Sequence, residues 1–160
     1  MESRAKLLGH PIHQMLIVFP LGLLGMAVIF DVLALVLAQG YWSEVALWMI
    51  VAGIVTGLLA APFGLVDWFA IPSGTRAKRI GAIHGLGNVV VLLLFASSAW
   101  FRLPAPQTPV GLALLLSFAG LFLALFTGWL GGELVDRLGV GVDEGAHLNA
   151  PSSLKSRRAA

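Results

Sequence analysis

The chain has 160 residues, of which 58% are hydrophobic and 11% charged, and its formal net charge is +2. Soluble domains carry about 25% charged residues, so a soluble fold has no way to hide this much apolar surface. With no cysteine, the chain forms no disulfide, thiolate nucleophile, thiolate-ligated zinc or cysteine-bound iron–sulfur centre.

Four apolar runs are each long enough to cross a hydrocarbon core of roughly 30 Å. Span 1 is expected over residues 12–38 and span 2 over residues 45–70. Span 3 is expected over residues 81–101 and span 4 over residues 110–135. The first run is about twice the length of a signal-peptide core of 7–15 residues. It also contains Pro20 and Asp31, so it reads as a retained span. The connectors "QGYWSE", "IPSGTRAKR" and "RLPAPQTP" are short and rich in turn-formers. Short connectors make neighbouring spans antiparallel. The expected fold is therefore all-α: an integral membrane, antiparallel up-down four-helix transmembrane bundle over residues 1–142. A cytoplasmic tail over residues 143–160 follows.

Basic residues give the direction. Arg4, Lys6, Arg76, Lys78, Arg79, Arg137, Lys155, Arg157 and Arg158 fall on one side, and Arg102 alone falls on the other. That split predicts a multi-pass protein with both termini in the cytoplasm. Trp42, Trp48 and Trp100 fall near the expected outer interface and Trp68 near the inner one. Span 2 carries Gly53, Gly57, Ala60 and Gly64, and span 4 carries Gly120, Ala124, Gly128 and Gly132. Such stripes of small residues let helix backbones approach closely in lipid. The expected use is packing within the chain, with a homodimer as the alternative. The end of the tail, "SSLKSRR", reads as a disordered segment or one resting on anionic headgroups.

The polar residues of the spans gather at the inner end. His10 and His13 open span 1, and His84 lies about one turn inside span 3. Asp67 closes span 2, Glu133 lies near the end of span 4, and His147 follows in the tail. Pro11 suits a first helical position with His10 as its flanking cap. Asp67 continues the stripe of Gly57, Ala60 and Gly64, and His84 shares a face with Asn88. Polar stripes in membrane helices turn toward the bundle interior. Each residue also has a plainer reading, as a solvated helix end or, for Glu133, as an i,i+4 partner of Arg137. Asp31 lies about 27 Å from His13 along the helix. Its expected partner is a helix end of span 2 or Ser98, and a proton path to the inner cluster is a remoter alternative.

Two cofactor chemistries fit the cluster. His13 and His84, at similar depth on separate helices, suit the axial ligation of haem b. Gly85 and Gly87 would admit the macrocycle, and Arg76, Lys78 and Arg79 would meet its propionates. Asp67 or Glu133 would then accept a ligand's outward ring N–H. Alternatively, His10, His13, Asp67, His84 and Glu133 form a mixed nitrogen and oxygen set for zinc, iron or manganese. Ser97 and Ser98 lie toward the opposite end, which leaves serine catalysis without a base. No phosphate-binding glycine loop and no nucleic-acid motif is present.

The segments "GHPIHQMLIVFPLG", "DW" at 67–68, His84 with Asn88, and "GWLGGELVDRLGVGV" resemble the bacterial predicted-membrane-protein family known as domain of unknown function 2231. The resemblance covers about residues 9–142 and implies four spans in the cytoplasmic membrane. It places the family's polar pattern on His10, His13, Asp67, His84 and Glu133. Some members adjoin a Rieske-type iron–sulfur domain, which implies redox chemistry and a redox partner protein. Many members carry a histidine before the "FP" of span 1, where this chain has Val18. The leading expectation is a membrane electron-transfer protein. The alternatives are a non-catalytic membrane subunit or a small metal or proton transporter. Whether the protein is an enzyme is left open.

Overall fold

The computed structural model describes residues 1–154. Lys155, Arg157 and Arg158 of the "SSLKSRR" segment therefore lie outside the described residues. The chain begins with a small antiparallel hairpin, β1 (Lys6–Leu7) and β2 (His10–Pro11), with Lys6 opposite Pro11. Leu8 and Gly9 turn it at φ 53° and 90°. Two-residue hairpin turns need such positive φ values, which glycine adopts freely and leucine rarely.

The hairpin corrects the expected cap. Pro11 itself is the N-cap of α1 (Ile12–Leu16), with ψ at 119°, and His10 lies in the strand. The Ile12 N–H is donated to Ala5 O at 2.9 Å, which holds the chain extended up to Pro11. α2 (Val18–Leu37) follows after a single residue, Ile17, which stays right-handed. Pro20 explains the break, because it has no N–H for Leu16 O and its ring crowds that carbonyl. The two helices still form one apolar span.

α2 ends on Ala38 in the left-handed conformation, and α3 (Gly40–Ala70) starts two residues later. The "QGYWSE" segment is thus mostly first turn rather than connector. Gly40 permits this, since a Cβ there would stand 2.5 Å from Gln107 O. Trp42 stacks on Phe30 with ring centroids 5.5 Å apart. Thr75 caps α4 (Arg76–Arg102), and its side chain accepts from Lys78 N at 3.1 Å. Arg76, Lys78 and Arg79 are therefore helical. The α3–α4 turn is clasped twice: Trp68 Nε1 donates to Lys78 O, and Lys78 Nζ donates to Trp68 O. The ammonium also lies 4.0 Å from the Trp68 ring centroid, a favourable cation–π placement. α5 (Gly111–Gly132) continues into a single π-helical turn, Glu133–Arg137.

The helices run up and down. The end of α3 meets the start of α4 through Trp68 and Gly81, and the start of α3 meets the α4–α5 loop through Gly40 and Gln107. α2 packs mainly on α3 and α4 mainly on α5, giving two helical hairpins. The core at their junction includes Leu24 and Val28 of α2, Ile50 of α3, Phe95 of α4 and Ala124 of α5. Large apolar side chains elsewhere point outward, including Phe122 at 78% and Trp100 at 71% exposure. Water would not tolerate that surface, whereas lipid tails solvate it.

The two small-residue stripes behave differently. On α3, an added Cβ at Gly53 meets Leu24 at 2.6 Å, at Gly57 Leu92 at 3.0 Å, and at Gly64 the His13 ring at 2.7 Å. On α5, Gly120 lies against Phe95, but Gly128 and Gly132 face open space. Geometry explains the difference: a step of four residues advances about 40° round the helix, so an unbroken i+4 ladder drifts off its face. The α3 stripe includes a step of three, which turns it back. Packing on α5 moves instead to Thr127 and Gly131.

Candidate functional site

The histidine end of the bundle is built from both hairpins. The His13 ring, from α1, lies on the glycine surface of Gly64, and its Nδ1 donates to Ala60 O of α3 at 3.0 Å. The His84 ring, from α4, lies against Gly131, and its Nδ1 donates to Thr127 O of α5 at 2.8 Å. Each histidine is thus pinned to a carbonyl of its own hairpin's other helix. Because a carbonyl only accepts, both Nδ1 atoms carry the proton, and in the neutral ring Nε2 keeps its lone pair.

That assignment fixes the neighbours of His84. Asn88 Nδ2 lies 3.1 Å from His84 Nε2, so the amide presents its donor there. Its oxygen then faces Thr127, whose hydroxyl donates to Asn88 Oδ1 at 2.8 Å. Thr127 therefore supports the ring twice, through its carbonyl and, by way of Asn88, through its hydroxyl.

The other residues expected at this site have different partners. Asp67 binds the segment before the hairpin, accepting from Ser3 Oγ at 2.8 and 2.7 Å and from Arg4 N at 2.7 Å. Glu133 pairs with Arg76 at 2.6 Å across α5 and α4, rather than with Arg137. His10 is exposed, with Nε2 3.4 Å from Ser153 Oγ. His147 Nδ1 accepts from Asn149 N in the tail. Among the described residues, no three His, Cys, Asp or Glu side chains are placed to hold a metal ion. The ring N–H groups of His13 and His84 go to carbonyls, not to Asp67 or Glu133. Gly87 does not face a gap, because an added Cβ would stand 2.5 Å from the Thr127 methyl.

A second polar constellation lies at the opposite end. Asp31 of α2 and Arg102 of α4 are both fully buried and form a two-pronged ion pair, with both N···O distances 2.7 Å. Ser117 of α5 donates to Asp31 Oδ2 at 3.0 Å and accepts from Arg102 Nη2. Arg102 Nε donates to Ser98 Oγ, whose proton goes to Ala113 O. Arg102 is therefore a core residue, not the lone outer loop cation expected from the sequence. Asp31 neither caps α3 nor bonds Ser98 directly; the guanidinium stands between them. The missed signal was simple: a carboxylate deep in an apolar span needs a cation, and Arg102 was the one basic residue assigned to that side.

Four long apolar helices, with charges either buried in a pair or gathered at the ends, define a helical-bundle membrane protein. The chain matches the model of the family described as "Predicted membrane protein (DUF2231)" over residues 9–144. It belongs to that family. No curated protein and no solved structure matched.

Proposed function

We propose that the protein is a redox protein of the bacterial cytoplasmic membrane in which His13 and His84 together ligate the iron of haem b. The observation that carries this is the pair of pinned imidazoles. Each donates Nδ1–H to a carbonyl, at Ala60 and at Thr127, as metal-ligating histidines do, which fixes the tautomer that keeps the lone pair on Nε2. They come from different hairpins. The donor set fits haem iron better than a four-coordinate ion, because Asp67 and Glu133 are engaged elsewhere. Bound haem would supply one-electron chemistry. The chain's own part is to orient the two rings and offer Arg79 in the first turn of α4 as a counter-charge. Asn88 must release His84 Nε2 for both ligands to bind.

A specific observation favours a second reading, a non-catalytic membrane subunit. Asp67, Glu133, Asn88 and Thr127 all have protein partners already, so the cluster also serves to join helix ends. Purification from cells supplied with haem precursor, zinc, iron and manganese separates the two. The redox reading expects a Soret band that shifts on reduction, is lost in His13→Ala and is altered in His84→Ala. A stoichiometric metal without a Soret band would move the site to non-haem chemistry. Neither haem nor metal would leave the subunit reading.

A further inference from the structure

The end of the bundle opposite the histidines holds a cleft of about 280 Å³, where α2 ends, α3 begins and the α4–α5 loop crosses. Its apolar wall includes Leu35 and Leu114, and its polar wall Gln39, Ser43, Gln107 and Thr108. Leu35 is 60% exposed on the outer surface of α2, so the cleft borders lipid. Ser43 is the residue that stands out. It is only 4% exposed, yet it lines the cleft, and its hydroxyl has no hydrogen-bond partner among the described residues. The other buried hydroxyls, on Ser3, Ser98, Ser117 and Thr127, are all bonded. A buried hydroxyl without a protein partner calls for one from outside the chain.

The backbone adds donors at the same place. α3 starts there without a side-chain cap. Gln39 N–H goes to Ala34 O and Trp42 N–H to Gln39 O. Gly40 and Tyr41 N–H are left without an acceptor among the described residues. α5 also starts without a side-chain cap, three residues after Thr108. Uncapped helix starts carry partial positive charge and offer N–H groups to anionic oxygens. Two carboxylates are near, and neither lines the cleft. Glu44 accepts from Gln107 Nε2 at 3.0 Å, and Asp31 is paired with Arg102. We propose that this cleft binds phosphate oxygens, with the Ser43 hydroxyl as the buried donor and the start of α3 as the charge complement. A phospholipid headgroup and free phosphate present the same oxygens, and only the lipid uses the apolar wall of Leu35 and Leu114. The site does not depend on the haem reading.

Amide NMR of the full, delipidated chain in detergent reads the site directly. The probes are short-chain phosphatidylglycerol, diacylglycerol with the same chains, and inorganic phosphate. The Gly40 and Tyr41 amide resonances should shift saturably with phosphatidylglycerol and stay in place with diacylglycerol. Ser43→Ala removes a hydrogen bond to a charged group and should weaken that binding roughly tenfold. Thr108→Val should act in the same direction, whereas Ser97→Ala, at an exposed serine of the same bundle end, should leave it unchanged. The ligand-free thermal midpoint of Ser43→Ala should not fall, because no hydrogen bond within the protein is lost and alanine favours helix. A serine with a purely structural role would show the reverse, a lower midpoint with binding intact. Saturable shifts with inorganic phosphate at equal affinity, again dependent on Ser43, assign the site to the free anion; shifts with phosphatidylglycerol alone assign it to lipid. Equal shifts with diacylglycerol, no shift with either phosphate compound, or unchanged affinity in both Ser43→Ala and Thr108→Val overturns the proposal.

Discussion

At the scale of single residues, the strongest interaction is the one farthest from the histidines. The Asp31–Arg102 pair is fully buried, and Ser98 and Ser117 occupy its remaining hydrogen-bonding positions. Removing one partner leaves an unpaired charge in an apolar core, a loss of about 3–5 kcal/mol, whereas apolar replacement of both is often neutral. Asp31→Ala should therefore unfold at much lower denaturant in detergent than the wild type, and Asp31→Leu with Arg102→Met should recover most of that loss. If the double variant is as weak as the single one, the pair is not the reason the site is stable. Asp31 shows how far the sequence reading reached. Its depth and its need for a partner were legible. The identity of the partner was not, because Arg102 at the end of a span reads as a snorkelling loop cation until the helix is known to aim it inward. The partners of Asp67 were not legible either: they are Ser3 and backbone amides, and residue chemistry alone does not announce a carboxylate bound by main chain.

At the scale of elements, the four spans were legible because apolar length is the dominant constraint in lipid. Their ends were less so. α3 and α4 each begin five residues before the expected positions, because capping by Thr75 and the fit of Gly40 under Gln107 extend helix beyond the apolar run. The α3 glycine stripe was read correctly as a packing face, and the α5 ladder only in its first half. A direct comparison checks the packing claim. Gly57→Leu forces a side chain against Leu92 at 3.0 Å, while Leu59 is 60% exposed. Gly57→Leu should lower the thermal midpoint in detergent well below that of Leu59→Ala, consistent with the 1–3 kcal/mol typical of overpacking. Equal shifts would mean α3 packs on another face. Gly64 offers a sharper element-level test, because any side chain there meets the His13 ring at 2.7 Å. Gly64→Ala should displace that ring and disturb the haem spectrum while leaving overall helicity unchanged.

At the scale of the whole molecule, two helical hairpins are joined at one end by the Asp31–Arg102 ion pair, and each carries one of two histidines at the other. Arg4, Lys6, Arg76, Lys78, Arg79 and Arg137 all belong to the histidine end, and Arg102 is neutralised inside the bundle. On the positive-inside rule we propose that the histidine end faces the cytoplasm. Single cysteines at Ser73 and Thr108, both exposed, report on the two ends. An impermeant thiol reagent applied to intact cells should label the Thr108 variant only, and labelling of Ser73 instead would invert the orientation.

The central claim is that His13 and His84, one from each hairpin, act as one ligand pair. Low-temperature electron paramagnetic resonance of the oxidised, haem-loaded protein tests it most directly, because two imidazoles on one iron give a characteristic low-spin signal. The account predicts that signal in the wild type, a larger share of it in Asn88→Leu, and its loss in both His13→Ala and His84→Ala. A low-spin signal that survives either histidine substitution would contradict it.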